Sequence, residues 1–123
     1  MAYLLDSCIL VDLLRRKTEA EAAVARLRDR PSVCAVSALE LFAGARSQQS
    51  ERKIEALLRL FRAVTIDASA FRAAGSFMRH YRASHELEIA DALIAATAEA
   101  HGLRLATLNV KHFPMFPRLK PAY

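Results

Sequence analysis

Short apolar runs that lead into stretches with helical periodicity are the feature that most constrains the fold of this chain. The first run, Tyr3-Leu4-Leu5, ends at Asp6, and apolar residues then recur at helical spacing over residues 8–15. This pattern is typical of a buried strand followed by a helix. Further strands are predicted at residues 32–36, 63–66 and 103–107. Strands that alternate with helices predict an α/β fold of three layers, αβα, with a mainly parallel sheet of four or five strands.

The remaining helices are predicted from apolar periodicity and from residues that begin or end helices. Asp67 is a favourable N-cap, and Gly102 stands where a helix C-terminus prefers glycine. Three prolines in the tail predict a loop or at most a short edge strand. The predicted helices span residues 18–29, 37–46, 51–62, 68–82 and 88–101.

Length and composition exclude several classes of protein. The 123 residues are enough for one domain with its own core, and we expect a single domain over residues 1–123. No apolar run is long enough to span a bilayer, and no export signal is recognisable. Cys8 and Cys34 stand in apolar contexts and are most simply buried thiols, which favours the cytoplasm without excluding a disulfide. The net charge of +5 favours a polyanionic partner without requiring one.

Two acidic residues occupy positions where either a structural or a functional role is reasonable. Asp6 ends a predicted strand, where reactive groups gather in open α/β sheets, but it could equally be the N-cap of the next helix. Glu40 completes the sequence Ser37-Ala38-Leu39-Glu40, which matches a capping box. Its helical neighbour Gly44 instead suggests a space beside the carboxylate, because glycine inside a helix costs about 1 kcal/mol relative to alanine.

Asp91 is the most informative acid, because it borders the apolar face of its predicted helix. A carboxylate in that position loses hydration unless it is hydrogen-bonded or binds a cation. Gathered carboxylates also repel one another unless a cation offsets their charge. We therefore expect Asp6, Glu40 and Asp91 to converge on a divalent ion. Their oxygen ligands favour Mg²⁺ or Mn²⁺.

Other catalytic arrangements lack sequence support. The four histidines and two cysteines have no zinc-ligand spacing. No motif supports a serine or cysteine nucleophile with a histidine base. With only three glycines, the chain has no glycine-rich phosphate loop.

Four motifs resemble, in order and spacing, those of PIN domains, and more closely those of the VapC-type ribonuclease toxins of bacterial toxin–antitoxin pairs. They are Leu4-Leu5-Asp6-Ser7, Val36-Ser37-Ala38-Leu39-Glu40-Leu41, Ile89-Ala90-Asp91-Ala92-Leu93-Ile94-Ala95-Ala96 and Thr107-Leu108-Asn109-Val110-Lys111-His112-Phe113. The resemblance covers nearly the whole chain. It implies a Mg²⁺- or Mn²⁺-dependent endoribonuclease that hydrolyses RNA with a metal-activated water and leaves a 5′-phosphate and a 3′-hydroxyl. It further implies a homodimer and a cognate antitoxin whose basic residues enter the acidic cleft.

The resemblance also assigns roles to individual residues. Asp6, Glu40 and Asp91 match the metal-binding and catalytic acids of the family. Asn109 stands where many members have a fourth acid, and an amide adds no negative charge, so the number of ions stays open. Ser7 and Thr107 match small hydroxyl positions.

Two further residues, Arg46 and His112, are expected to act outside the set of metal-binding acids. Arg46, beyond Glu40 on the same predicted helix, is our candidate for a phosphate contact. His112 and Phe113 are expected to hold their loop in place, and His112 is left out of the catalytic set.

Three alternatives remain open at the level of sequence. The same fold could serve as an RNA-binding or regulatory module with a decayed metal site, an interpretation that only Asn109 favours. A phosphatase with a strand-end aspartate nucleophile would normally have a second acid two residues after Asp6, where this chain has Cys8. A purely structural interaction protein would leave the gathering of acids unexplained.

Overall fold

The computed structural model describes residues 2–123 and alternates strands with helices. The strands are β1 (Tyr3–Leu5), β2 (Ser32–Cys34), β3 (Arg62–Val64) and β4 (Arg104–Ala106). The helices are α1 (Ser7–Leu14), α2 (Thr18–Ala25), α3 (Ala35–Ala43), α4 (Gln48–Leu58), α5 (Ala68–His85) and α6 (Ile89–Ala100), followed by a 3₁₀ turn at Val110–His112.

The sheet is parallel throughout, with strand order β3-β2-β1-β4. Because crossovers between parallel strands are right-handed, α1–α4 lie on one face and α5 and α6 on the other. Neighbouring residues of β1 serve opposite faces: Leu5 packs in a cluster with Ile9, and Leu4 in a cluster with Ile94 and Phe113. The predicted three-layer α/β fold is confirmed. Within residues 2–123 the sheet has four strands.

The second crossover differs from the sequence prediction where it matters for the site. Helix α3 begins at Ala35 with Cys34 as its N-cap, so the predicted start at Ser37 was wrong. The Ser37 side chain is fully buried and lies 3.7 Å from the Cys34 sulfur. The capping box is therefore absent, and Glu40 lies well inside the helix. Gly44 ends α3 in an ordinary helical conformation, and an added Cβ would meet no atom closer than 3.5 Å, so crowding does not require glycine there.

The other helix ends follow local chemistry more closely. The Asp67 carboxylate accepts the amide of Ala70 at 3.1 Å, which confirms it as an N-cap. Gly102 adopts a left-handed conformation with φ of 62°, as predicted after the last helix. Helix α5 continues to His85, beyond its predicted end, and Glu86 takes a left-handed conformation with φ of 51°.

The tail beyond the 3₁₀ turn forms no strand and passes around the β4 edge. Phe116 and Leu119 pack on the α6 side, whereas Ala122 and Tyr123 pack on the α1 side. The Tyr123 hydroxyl donates to Asp12 of α1 at 2.6 Å. Burial and the Asp12 carboxylate raise the pKa of the Tyr123 phenol. Prolines supply no amide for a ladder, which explains why a fifth strand does not form here.

None of the helices described between residues 2 and 123 is long and apolar enough to cross a membrane.

Candidate functional site

Asp6 is a buried carboxylate held by hydrogen bonds at the carboxyl end of β1. One oxygen, Oδ1, accepts the amide of Ser7 at 2.8 Å, and Asp6 is the N-cap of α1. The other, Oδ2, accepts the hydroxyl of Thr107 at 2.7 Å. Both residues are nearly inaccessible, with Asp6 4% and Thr107 0% exposed. The structural and functional interpretations of Asp6 are therefore compatible, because capping fixes the direction of the carboxylate.

Thr107 links this carboxylate to the loop that follows β4. Its hydroxyl oxygen accepts the backbone amide of Asn109 at 3.0 Å. The carbonyl of Thr107 accepts the amide of Ala122 at 2.9 Å, so the tail also holds this residue. Parallel pairing of β1 with β4 brings the two strand ends together.

Cys8 is a member of this network that the sequence analysis treated only as a buried thiol. It is half-buried, and its sulfur lies 3.6 Å from Asp6 Oδ2 and 3.5 Å from the Thr107 hydroxyl. The sulfur also accepts the amide of Leu108 at 3.5 Å. Burial is the main cause of a raised pKa of the Cys8 thiol, so the thiol stays neutral in the network. Both cysteines are free.

Glu40 approaches the same end of the sheet from α3. The residue is exposed, but its carboxyl group is partly shielded from water, and this desolvation raises the pKa of Glu40. A hydrogen bond with the Ser7 side chain opposes the rise, whereas the negative charges of Asp6, Asp91 and Glu88 add to it. Glu40 is thus free of a capping role and faces other carboxylates.

Asp91 approaches from the first turn of α6, beside the buried apolar residues of that helix. Its carboxylate accepts the backbone amide of Glu88, the N-cap residue. Desolvation raises the pKa of Asp91, and the Asp6 charge raises it further. His112 opposes this rise, with its Nδ1 atom 3.7 Å from Asp91 Oδ2.

His112 and Phe113 were expected together to hold their loop, and it is the Phe113 side chain that is buried there, at 1% exposure. The His112 side chain is 55% exposed and pairs with Asp91 instead. The spacing of residues gave no signal of this contact, because it depends on how the turn after β4 folds back on α6.

The three predicted acids therefore lie close together: the charges of Asp6 and Asp91 help to raise the pKa of Glu40, and the Asp6 charge helps to raise that of Asp91. Across residues 2–123, however, no group of three His, Cys, Asp or Glu side chains is arranged to hold a metal ion as it stands. The three acids offer carboxylate oxygens, which suit a hard cation, and Mg²⁺ commonly retains several waters. Desolvation is the main cause of the raised pKa of Glu40 and of Asp91, and a cation would relieve the repulsion that adds to it.

The remaining predicted residues contribute unequally. Ser7 bonds to Glu40 through its side chain, which links the acids of β1 and α3. Asn109 precedes the 3₁₀ turn and its side chain is exposed. Arg46 lies beyond the end of α3, is exposed, and makes no side-chain hydrogen bond or ion pair with the residues described.

The chain matches the model of a known domain family over most of its length. The PIN domain model matches residues 3–116. The chain belongs to the PIN-domain family. Its acids thus lie on the scaffold that the four sequence motifs suggested.

Relatives and solved structures agree with this PIN assignment. Ribonuclease VapC10 of Mycobacterium tuberculosis is 42% identical over 123 residues, which cover 98% of this chain and 92% of the relative. Ribonuclease VapC19 of the same organism is 40% identical and covers 98% of both chains. A toxin–antitoxin complex from Klebsiella pneumoniae contains a chain that superposes with a TM-score of 0.83 at 27% identity, with 98% of each chain covered. VapBC-1 from nontypeable Haemophilus influenzae, at 23% identity and a TM-score of 0.80, supports the PIN fold alone.

Proposed function

We propose that this PIN-domain protein is a Mg²⁺- or Mn²⁺-dependent endoribonuclease and the toxin of a toxin–antitoxin pair. The observation that carries the proposal is the approach of Asp6, Glu40 and Asp91 at the carboxyl end of the sheet, where the Asp6 charge helps to raise the pKa of both other acids and the Asp91 charge helps to raise that of Glu40. Relatives named ribonuclease VapC, at 40–42% identity over nearly the whole chain, supply the reaction class. The toxin–antitoxin structure with a closely similar fold supplies the biological setting.

In this proposal Asp6, Glu40 and Asp91 hold the ion, and Asn109 contributes a weaker oxygen ligand. When bound, the ion activates a water and polarises a phosphoryl oxygen. Thr107 keeps one Asp6 oxygen in place at 2.7 Å, which positions the carboxylate before the ion arrives. Burial raises the pKa of Glu40 and of Asp91, and neighbouring negative charge, which a cation would neutralise, raises it further.

The substrate is a flexible, single-stranded RNA segment, whose backbone can bend into a cleft. Arg46 has no ion pair among the described residues and could contact a phosphate, with Ser7 and Thr107 as further polar groups near the acids. His112 lies against Asp91 and stands at the same edge of the site. Hydrolysis in this arrangement leaves a 5′-phosphate and a 3′-hydroxyl.

The partners follow from the same acids. A cognate antitoxin would place basic side chains among Glu40, Asp91 and Glu88, where they replace the cation and block RNA. We further propose that the chain acts in the cytoplasm as a homodimer.

The test is cleavage of RNA by the purified chain with Mg²⁺ or Mn²⁺, with the new 5′ ends mapped and tested for phosphate. Asp91→Asn should lower the cleavage rate by about 100-fold or more, because a metal ligand contributes several kcal/mol. Glu99→Gln, an exposed acid on the same helix, is the matched control and should leave the rate unchanged. Growth arrest on expression should be relieved by Asp91→Ala. Metal-independent cleavage, or equal rates for Asp91→Asn and Glu99→Gln, would contradict the proposal.

One second candidate rests on a specific observation, the exposed amide Asn109 in place of a fourth acid. In that case the chain would bind RNA without cutting it. Retention of labelled RNA with no cleavage, in Mg²⁺ and in Mn²⁺ alike, would favour this RNA-binding module over the nuclease.

A further inference from the structure

The outer edge of β4 presents an unpaired peptide group. The amide of Arg104 donates to the carbonyl of Ala2 at 3.0 Å, and the carbonyl of Ala106 accepts the amide of Asp6 at 2.9 Å. Both of these residues therefore direct their backbone groups toward β1. Because alternate residues of a strand direct these groups to opposite sides, the N–H and C=O of Leu105 point away from β1, toward the outer edge of the sheet. No further strand among residues 2–123 pairs with that edge.

A groove of about 820 Å³ lies along this edge. The groove is open because the tail passes around β4 without forming a strand beside Leu105. The tail reaches the β4 edge two residues later, where the Ala122 amide donates to the Thr107 carbonyl at 2.9 Å. The walls are mainly apolar and come from the sheet, from α2 with the turn after it, and from the tail: Tyr3, Leu105, Val24, Leu27, Phe116 and Leu119.

The charges of the groove are all of one sign. Arg104, Arg118 and Lys120 contribute to its lining, and no aspartate or glutamate of the described chain does. All three cations are exposed, and none makes an ion pair or a side-chain hydrogen bond with residues 2–123. An occupant of this groove must therefore match an apolar channel, a free strand edge and a local excess of positive charge.

We propose that this groove binds an extended peptide in which acidic and apolar side chains alternate, and that the peptide adds a strand to β4. Main-chain hydrogen bonds to Leu105 would set its register, as in other cases of strand addition. Side chains of one parity would face the α6 side of the groove, where Leu105, Phe116 and Leu119 are apolar. Side chains of the other parity would face the side of Arg104, which alternates with Leu105 along β4. Residues Asp6, Glu40 and Asp91 do not line the groove, so this site is separate from the proposed nuclease centre.

The probe is a capped six-residue peptide of alternating glutamate and valine, added to the full-length chain. We expect saturable binding by calorimetry and slower hydrogen exchange at the Leu105 amide. A lysine–valine peptide should bind at least about tenfold more weakly, because charge-assisted contacts to the cations are lost. A glutamate–valine peptide N-methylated at alternate amides should also bind at least about tenfold more weakly, because it cannot complete the ladder.

Two charge-reversal variants separate local recognition from general attraction to a basic protein. Arg104→Glu should weaken binding of the glutamate–valine peptide at least about tenfold. Arg52→Glu changes the net charge equally, but lies exposed on α4 outside the groove, and should change the affinity less than about twofold.

Several results would overturn this inference. These are absence of saturable binding, equal affinity for the acidic and basic peptides, and equal loss in the two charge-reversal variants. Slower hydrogen exchange on peptide binding at β3, the other edge of the sheet, instead of at Leu105 would also overturn it. Self-association abolished by Arg104→Glu, without peptide binding, would assign the β4 edge to a second copy of this chain instead.

Discussion

The two halves of the acidic site are built in opposite ways. Asp6 is 4% exposed, and its two oxygens accept a backbone amide and a buried hydroxyl. Glu40 and Asp91 lie nearer to solvent, and neighbouring negative charges contribute to the raised pKa of each. Hydrogen bonds within the protein thus stabilise the Asp6 carboxylate. The fold instead disfavours the ionised forms of Glu40 and Asp91, as the raised pKa of each indicates. A cation would offset the negative charge of all three, and both oxygens of Asp6 are hydrogen-bonded without one.

This contrast teaches how a fold can tolerate a gathering of acids. Hydrogen bonds offset the loss of hydration of the buried Asp6 carboxylate, and one of them caps α1, so Asp6 stabilises the fold. The acids on α3 and α6 remain partly hydrated, so their repulsion is screened and its cost is small. Substitutions at the two kinds of acid should therefore change stability in opposite directions.

The largest effect is expected for Asp6→Ala. Removal of the carboxylate leaves the Ser7 amide and the Thr107 hydroxyl without their acceptor, and we expect the free energy of unfolding at pH 7 to fall by about 1–3 kcal/mol. Urea unfolding of the metal-free protein measures this change. An unchanged or increased stability would show that repulsion, rather than hydrogen bonding, dominates at Asp6.

A smaller effect is expected for Thr107→Val, which removes the hydroxyl that holds Asp6 Oδ2 at 2.7 Å. If the ion binds as proposed, its affinity should fall by about 10–100-fold, because a group that orients a metal ligand has been lost. Calorimetric titration with Mn²⁺ measures the affinity. Thr97→Val is the matched control: Thr97 is equally buried, but its hydroxyl donates to the Leu93 carbonyl within α6. Similar losses in both variants would point to general damage by a buried threonine-to-valine change.

The smallest effect, and the one of opposite sign, is expected for Glu40→Gln. Because the pKa of Glu40 is raised in the folded state, the folded protein binds more protons than the unfolded chain as pH rises above the ordinary glutamate pKa. Wild-type stability should therefore decline through that range, and the glutamine variant should avoid this loss. We expect the metal-free variant to be more stable at pH 7 by up to about 1 kcal/mol, a limit set by solvent screening.

Thermal unfolding at a series of pH values measures this difference, which should vanish once the pH falls below the ordinary glutamate pKa. A variant less stable than wild type at pH 7 would mean that the Ser7–Glu40 hydrogen bond outweighs the repulsion.

The sequence by itself determined the layers and the order of the elements. Leu4 and Leu5 serve opposite faces because side chains alternate along a strand, and this periodicity is local. The N-cap at Asp67 and the left-handed Gly102 were equally predictable, since each depends on the intrinsic chemistry of one residue. Asp91 could be named as a candidate because a carboxylate beside an apolar face needs a partner, and Asp6 because it ends a predicted strand.

Tertiary structure decided what those residues contact. The sequence around Ser37 matches an N-cap, but α3 begins two residues earlier, at Ala35. Ser37 is therefore buried inside the helix, and Glu40 has no capping box to complete. Cys8 and His112 joined the acids only because β1 pairs with β4 and the following turn returns to α6. Local patterns record the preference of a segment for helix or strand, whereas these contacts depend on pairing and packing between residues about 20 to 100 positions apart. For that reason the sequence could indicate which acids are candidates. It could not predict the hydrogen-bond network that holds Asp6 in place and leaves Glu40 and Asp91 nearer to solvent.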